Sequence, residues 1–268
     1  SVAQPVLSQR SGGGGVSGTD GSVLQVSGPS SVIFNPLGDH NGSIPVALIS
    51  TYNNMGEIKT NNWGGCIMND GTIRAWGLGT SGQLGDNTIV SKLTPVAIVG
   101  TTKTFCQINA SYGHTVGVDK NGKVWAWGQN NIGQLGLGNT TYYSSPKQVG
   151  ALTNWLRIAS GNYHTVAIKT NGTLWSWGSN AFGNLGLGNT TGYSSPKQVG
   201  AGTNWSNTAA GYYQSFAIKT DGTLWTWGNN NFGQLGDGTT VNRCSPGTVA
   251  GGGTTWCQVF NGAAITVQ

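Results

Sequence analysis

Residues 155–200 read WLRIASGNYHTVAIKTNGTLWSWGSNAFGNLGLGNTTGYSSPKQVG, and most of that string is written again on either side. Its closing NTTGYSSPKQVG (189–200) differs from NTTYYSSPKQVG (139–150) by a single exchange. Self-similarity at a fixed period is tested before any local reading, because it decides the architecture. Pro45, Pro95, Pro146, Pro196 and Pro246 lie 50, 51, 50 and 50 residues apart. Gly71, Gly122, Gly172 and Gly222 keep the same period, as do the Trp-Gly pairs beginning at Trp76, Trp127, Trp177 and Trp227.

Each unit divides into four strands. WLRIA supplies the first and HTVAIKT the second, and Asn171-Gly172 predicts a two-residue hairpin turn with positive φ at both central positions. TLWSWG is the third strand. After a long Gly/Asn loop, PKQVG is the fourth, its proline suited to an outer edge where one backbone donor is dispensable. Four antiparallel strands repeated about every fifty residues describe an all-β fold, the β-propeller blade. One blade is too small a core alone, so the pairs Trp125/Trp127, Trp175/Trp177 and Trp225/Trp227 are expected to fill the interfaces between blades.

The two ends carry halves of one unit. TDGSVLQVSG, at 19–28, mirrors TDGTLWTWG at 220–228, while WCQVFNGAAITVQ, at 256–268, matches the first two strands and stops where Val16 resumes the pattern. Four complete units and one split unit make a single five-bladed propeller over residues 16–268, its last blade shared between 16–50 and 246–268. Pairing of the amino- and carboxy-terminal segments closes the ring and removes exposed sheet edges. Residues 1–15, with SGGGG, read as a flexible arm.

Composition narrows the function. Only 8% of the 268 residues are charged, against 46 glycines and 11 tryptophans, which suits short strands and tight turns rather than helices. The formal charge of +5 is spread thinly, without the clustered cations that nucleic acid requires. No apolar run is long enough to insert in a membrane as a helix, and the first residues lack the form of a signal peptide. The four cysteines have no metal-ligand spacing and read as buried free thiols.

GNYHTVAIKTNGTLWSWGSNAFGNLGLG, at 161–188, resembles the repeat of the regulator of chromosome condensation family. The shared marks are the segment ending in His114 or His164, the turn glycine, the Trp-Gly pair, and the GQLG loops at 82–85, 133–136 and 233–236. The resemblance implies a propeller and a family of exchange factors, chromatin binders, enzyme inhibitors and bacterial or viral members. The chain departs from the best-known members in counting to five blades rather than seven and in lacking a basic amino-terminal tail. Both departures weigh against nucleotide exchange and chromosome binding.

Nothing here assembles into a reaction centre. His114 and His164 share one repeat position, as residues that serve the blade do, and the eight acids sit mostly in turns. No nucleophile elbow, phosphate loop or zinc signature occurs, so no catalytic, cofactor or metal residue is assigned. The candidate binding residues are tyrosines. Tyr112, Tyr163 and Tyr213 recur in the connection between first and second strands and are read as one position near the central channel. Tyr142, Tyr143 and Tyr193 mark the tip of the loop between third and fourth strands, where Ile132, Phe182 and Phe232 are expected to plug against a neighbouring blade.

The expectation is a non-enzymatic propeller presenting protein- or glycan-contact surfaces. Its low charge and Asn/Gly/Thr/Ser-rich loops resemble a bacteriophage virion accessory or attachment protein, joined through residues 1–15 to other structural proteins of a larger assembly. A soluble sugar-binding lectin is the alternative, and an inhibitor or exchange-factor-like module for a protein partner is a second.

Overall fold

The computed structural model describes residues 63–68, 70–100 and 104–259. They form four antiparallel sheets in chain order. The first holds β1 (Trp63–Ile67), β2 (Ile73–Gly77) and β3 (Lys92–Ala97). The second holds β4 (Phe105–Ala110), β5 (His114–Asp119), β6 (Val124–Gly128) and β7 (Tyr143–Gln148). β8 (Trp155–Ser160), β9 (His164–Lys169), β10 (Leu174–Gly178) and β11 (Tyr193–Gln198) make the third. β12 (Trp205–Ala210), β13 (Gln214–Lys219), β14 (Leu224–Gly228) and β15 (Arg243–Thr248) make the fourth. Strands follow sequence order within every sheet, so each blade is a meander.

Burial follows the position of each strand. Every residue of β5 and β9 is buried, because these strands are covered on both faces. The outermost β11 has no buried residue, and its proline sits on an edge strand that pairs only with β10. The fourth strand begins at Tyr193, three residues ahead of the PKQVG segment. The cores lie between sheets rather than within them. Val116, Val118 and Val124 of the second sheet meet Trp155, Ile158 and Trp177 of the third. Val166, Ile168 and Leu174 of the third meet Trp205 and Trp227 of the fourth. The second tryptophan of each pair fills these junctions, Trp127, Trp177 and Trp227 being almost wholly buried.

Neighbouring sheets are also sewn by backbone. Phe105 N donates to Gly71 O at 2.7 Å, Trp155 N to Gly122 O at 3.0 Å, and Trp205 N to Gly172 O at 3.1 Å. Trp256 N makes the same bond to Gly222 O at 3.2 Å, and Val259 packs with Phe216, Ile218 and Leu224 of the fourth sheet. The repeat therefore continues to the last described residue. Of the 246–268 portion expected in a fifth blade, residues 246–248 belong to β15 of the fourth sheet, which their register with β14 fixes. The closure by 16–50 with 260–268 and the arm over 1–15 rest on segments outside the described residues.

Two expectations need correction. The hairpin at Asn171-Gly172 is not a two-residue turn. Gly172 N donates to Lys169 O at 2.9 Å, Lys169 N donates to Thr173 O at 3.0 Å, and only Gly172 has positive φ, at 74°. This is a type I turn closed by a left-handed glycine, a three-residue loop with a bulge. The second correction concerns the cysteines: Cys66 is buried, and burial pushes its thiol up to about 11, but Cys106 and Cys257 are exposed and Cys244 half-buried. Cys106 stands at a bulge in β4, between the pairs Phe105↔Asp119 and Gln107↔Val118, which turns its side chain out of the core.

Candidate binding face

Strand register decides which side chains share a surface. In the third sheet, Ser160 pairs with Thr165, His164 with Gly178, and Gly178 with Tyr193. The end of the first strand, the start of the second, the end of the third and the start of the fourth thus lie along one edge of the blade. The connections between strands one and two and between strands three and four emerge there. The tight hairpins between strands two and three emerge on the opposite edge.

Beneath this edge runs a polar seam that joins blade to blade. Gln134 O, in the loop of the second sheet, accepts from Trp177 Nε1 at 3.0 Å and Thr165 Oγ1 at 2.9 Å in the third. Asn184 O accepts from Trp227 Nε1 at 3.0 Å and Ser215 Oγ at 2.7 Å, and Gln83 O from Trp127 Nε1 at 2.9 Å and Thr115 Oγ1 at 2.8 Å. The histidines complete it: His114 Nε2 lies 3.3 Å from Thr165 Oγ1, and His164 Nε2 lies 2.8 Å from Ser215 Oγ, each in the next sheet. Burial holds both imidazoles neutral, with values lowered to about 3, and the neighbouring His164 adds to the effect on His114. These histidines are structural.

Above the seam the tyrosines of the inner connections gather. Tyr163 stacks on Tyr213 at 5.4 Å between ring centroids, Tyr212 packs edge-on against both, and Phe182 from the third sheet's long loop reaches Tyr213 at 4.8 Å. A hydrogen bond with Tyr212, then burial and the neighbouring phenols, push Tyr163 up to about 12. Burial first, then Tyr212, raises Tyr213. Tyr112 and Tyr212 are half exposed.

Tyr112 does not share a repeat position with Tyr163 and Tyr213. Gln129 N bonds Gly113 O, Ser179 N bonds Tyr163 O and Asn229 N bonds Tyr213 O, so Gly113 is the equivalent residue and Tyr112 matches Tyr212. The sequence reading missed Tyr212, although the doublet Tyr212-Tyr213 is its signal. The loop-tip set lies on the same edge, further from the first strands. Tyr142 is exposed, whereas Tyr143 and Tyr193 open β7 and β11 and are half-buried, with Lys147 and Lys197 ammonium groups 5.4 and 5.1 Å from their rings. Of the loop residues expected to plug a junction, Phe182 does so, Ile132 is partly exposed, and Phe232 is exposed at the end of the described sheets.

The face is nearly free of charge. Among the described residues its long loops and outer strand starts hold Asp86 with Lys92 at 3.2 Å and Asp237 with Arg243 at 2.8 Å, each acid beside its own cation. Asp70, Lys120, Lys123 and Asp221 stand in the hairpins of the opposite edge. Apart from the Lys147 and Lys197 ammonium groups against Tyr143 and Tyr193, the rest is neutral, chiefly Asn, Gln, Thr and Tyr.

Sheets in sequence order, joined at buried tryptophans and sewn through GQLG-type loops, define a repeat β-propeller with a neutral aromatic face. The regulator of chromosome condensation (RCC1) repeat matches residues 70–118, 121–168, 171–218 and 221–267. The chain belongs to that family.

Among curated relatives, the ultraviolet-B receptor UVR8 of Arabidopsis thaliana is 34% identical over 80 residues, 30% of this chain and 18% of its own length. The protein RCC2 homolog of Xenopus laevis is 36% identical over 83 residues, 30% of this chain and 16% of its own. The chain thus matches less than a fifth of either relative's length. Among solved structures, Prp20p of Saccharomyces cerevisiae, described with its binding to Gsp1p and histones, superposes with a TM-score of 0.66 at 22% identity, covering 74% of this chain and 50% of that one. Human WBSCR16 gives 0.62 at 20% identity over 71% and 50%. These likenesses concern the fold.

Proposed function

We propose that this chain is a non-enzymatic binding module that engages a protein partner through the tyrosine face. The carrying observation is the contiguous cluster of Tyr163, Tyr212, Tyr213 and Phe182 on a face that carries few charges. Tyrosines bury large area with little entropy loss and keep a polar tip for hydrogen bonds, so they are enriched where proteins meet. The seam beneath holds them on a rigid base, which lowers the cost of ordering on association. Prp20p, which shares the fold, is described with its binding to Gsp1p and histones, and the exchange-factor-like reading is the form of this proposal closest to it.

The ring we propose has five blades over residues 16–268, with 1–15 as an arm that joins a larger assembly. Assignment of that assembly to a bacteriophage virion draws on composition alone. A photo-crosslinking amino acid at position 212 tests the binding face in the native source. It is expected to capture a discrete partner that the same probe at Asn121, on the opposite edge, does not. Equal capture from both positions, or from neither, counts against the proposal.

A further inference from the structure

The tyrosine face leaves the outer rim unused, and the rim carries a repeated arrangement of its own. A groove of about 350 Å³ opens between the second and third sheets, walled by Trp155, Trp175, Leu137 and Pro196 with Gln148 and Ser195 among its lining residues. No charged side chain lines it. Trp155 is 3% exposed, and its indole N–H is buried without an acceptor. A buried donor left unpaired destabilises a fold, so one that recurs calls for an explanation.

It does recur. Fifty residues on, Trp205, Trp225, Leu187, Pro246, Gln198 and Ser245 repeat the six, and Trp205 Nε1 is likewise buried without a partner. The cavity of about 360 Å³ beside Gly188, Ser245 and Pro246 is a different one, since Arg243 lines it and neither Trp205 nor Trp225 does. Behind each pair of indoles lies a lysine. Lys169 Nζ stands 3.6 and 4.7 Å from the Trp175 and Trp155 rings, and Lys219 Nζ 4.0 and 5.0 Å from those of Trp225 and Trp205. A cation on the π-face draws electron density from the ring and makes the indole N–H a better donor.

The junction before these lacks the arrangement. Phe105 stands where Trp155 does, Asp119 stands at the Lys169 position, and its carboxylate takes the Trp125 N–H directly at 2.9 Å. The unpaired indole therefore belongs to two particular junctions and is not imposed by the blade.

A ligand for such a groove must be uncharged, lay an apolar face on tryptophan, leucine and proline, and both accept and donate hydrogen bonds. The indole N–H and the Ser195 hydroxyl require acceptors. The Gln148 amide nitrogen already donates to Gly150 O at 2.9 Å, which leaves its oxygen to receive a donor. A pyranose ring has this combination, with C–H groups on its faces and hydroxyls around its edge. We propose that the groove between the second and third sheets binds one uncharged hexopyranose unit of a glycan. This is independent of the partner assigned to the tyrosine face.

The test titrates the full-length protein with the methyl pyranosides of glucose, mannose and galactose and with N-acetylglucosamine, followed by saturation-transfer NMR and tryptophan fluorescence. At least one sugar is expected to saturate one site per chain in the millimolar range. Gln148→Ala should remove the site and Gln198→Ala should leave it, both at an unchanged melting temperature. Trp155→Phe, which copies Phe105, should also remove the site, while Tyr212→Ala should leave it intact. The proposal is overturned if none of the four sugars saturates, or if binding survives Gln148→Ala.

Discussion

At the scale of single residues, each described junction is fastened by one tryptophan whose N–H reaches a loop carbonyl of the preceding sheet. Trp177→Ala opens a cavity where no solvent penetrates and leaves Gln134 O with only Thr165 as donor. A loss of about 3–5 kcal/mol is expected in urea unfolding. The buried imidazoles make stability depend on pH. Unfolded, they take up a proton below about pH 6.5, whereas in the fold they stay neutral until about pH 3. Their stabilisation is therefore complete above about pH 6.5 and is lost as the pH falls, by about 1.4 kcal/mol per pH unit for each ring. His164→Gln, the residue found at 214, should remove about half of the stability loss that these two rings produce between about pH 6 and 4. An unchanged slope would place the titration elsewhere. The structural role of the histidines was legible because they recur at one repeat position. Their hydroxyl partners were not, since Thr165 and Ser215 lie 51 residues along the chain in the next sheet.

At the scale of elements, strand type and order were readable because the alternation of apolar residues, turn glycines and edge prolines repeats in every unit. Turn type was not. Asn-Gly suits a two-residue turn as well as a type I turn with a glycine bulge, and the pairing across the strands selects the second. The same glycine has a further duty, since a Cβ on Gly172 would run into Thr203 O of the neighbouring sheet. Gly172→Ala is thus expected to cost more than the roughly 1 kcal/mol of a strained left-handed alanine, measured as a shift in denaturation midpoint. Gly200→Ala is the control, with positive φ but open space around it. The family repeat is also out of phase with the blade. Residues 171–218 supply the third and fourth strands of one sheet and the first two of the next, so this covalent unit ties two blades together, as 70–118 and 121–168 do.

At the scale of the whole molecule, five blades require residues 16–50 to share a sheet with the chain that follows β15. A chain starting at residue 16 should melt with the full-length protein, whereas one starting at residue 51 should lose its single cooperative transition, because an open ring leaves a blade half built. Equal melting of the two would refute the shared blade. Period, strand order, edge prolines and the tryptophan-filled junctions were determined by the sequence alone, because they depend on spacings that recur within about fifty residues. The tertiary structure decided which side chains meet across blades. It displaced Tyr112 from the position of Tyr163, brought Tyr212 and Phe182 into the aromatic face, and left two indole N–H groups unpaired at the rim. Those contacts depend on how one sheet is seated against the next, a rigid-body relation that no local pattern of residues encodes.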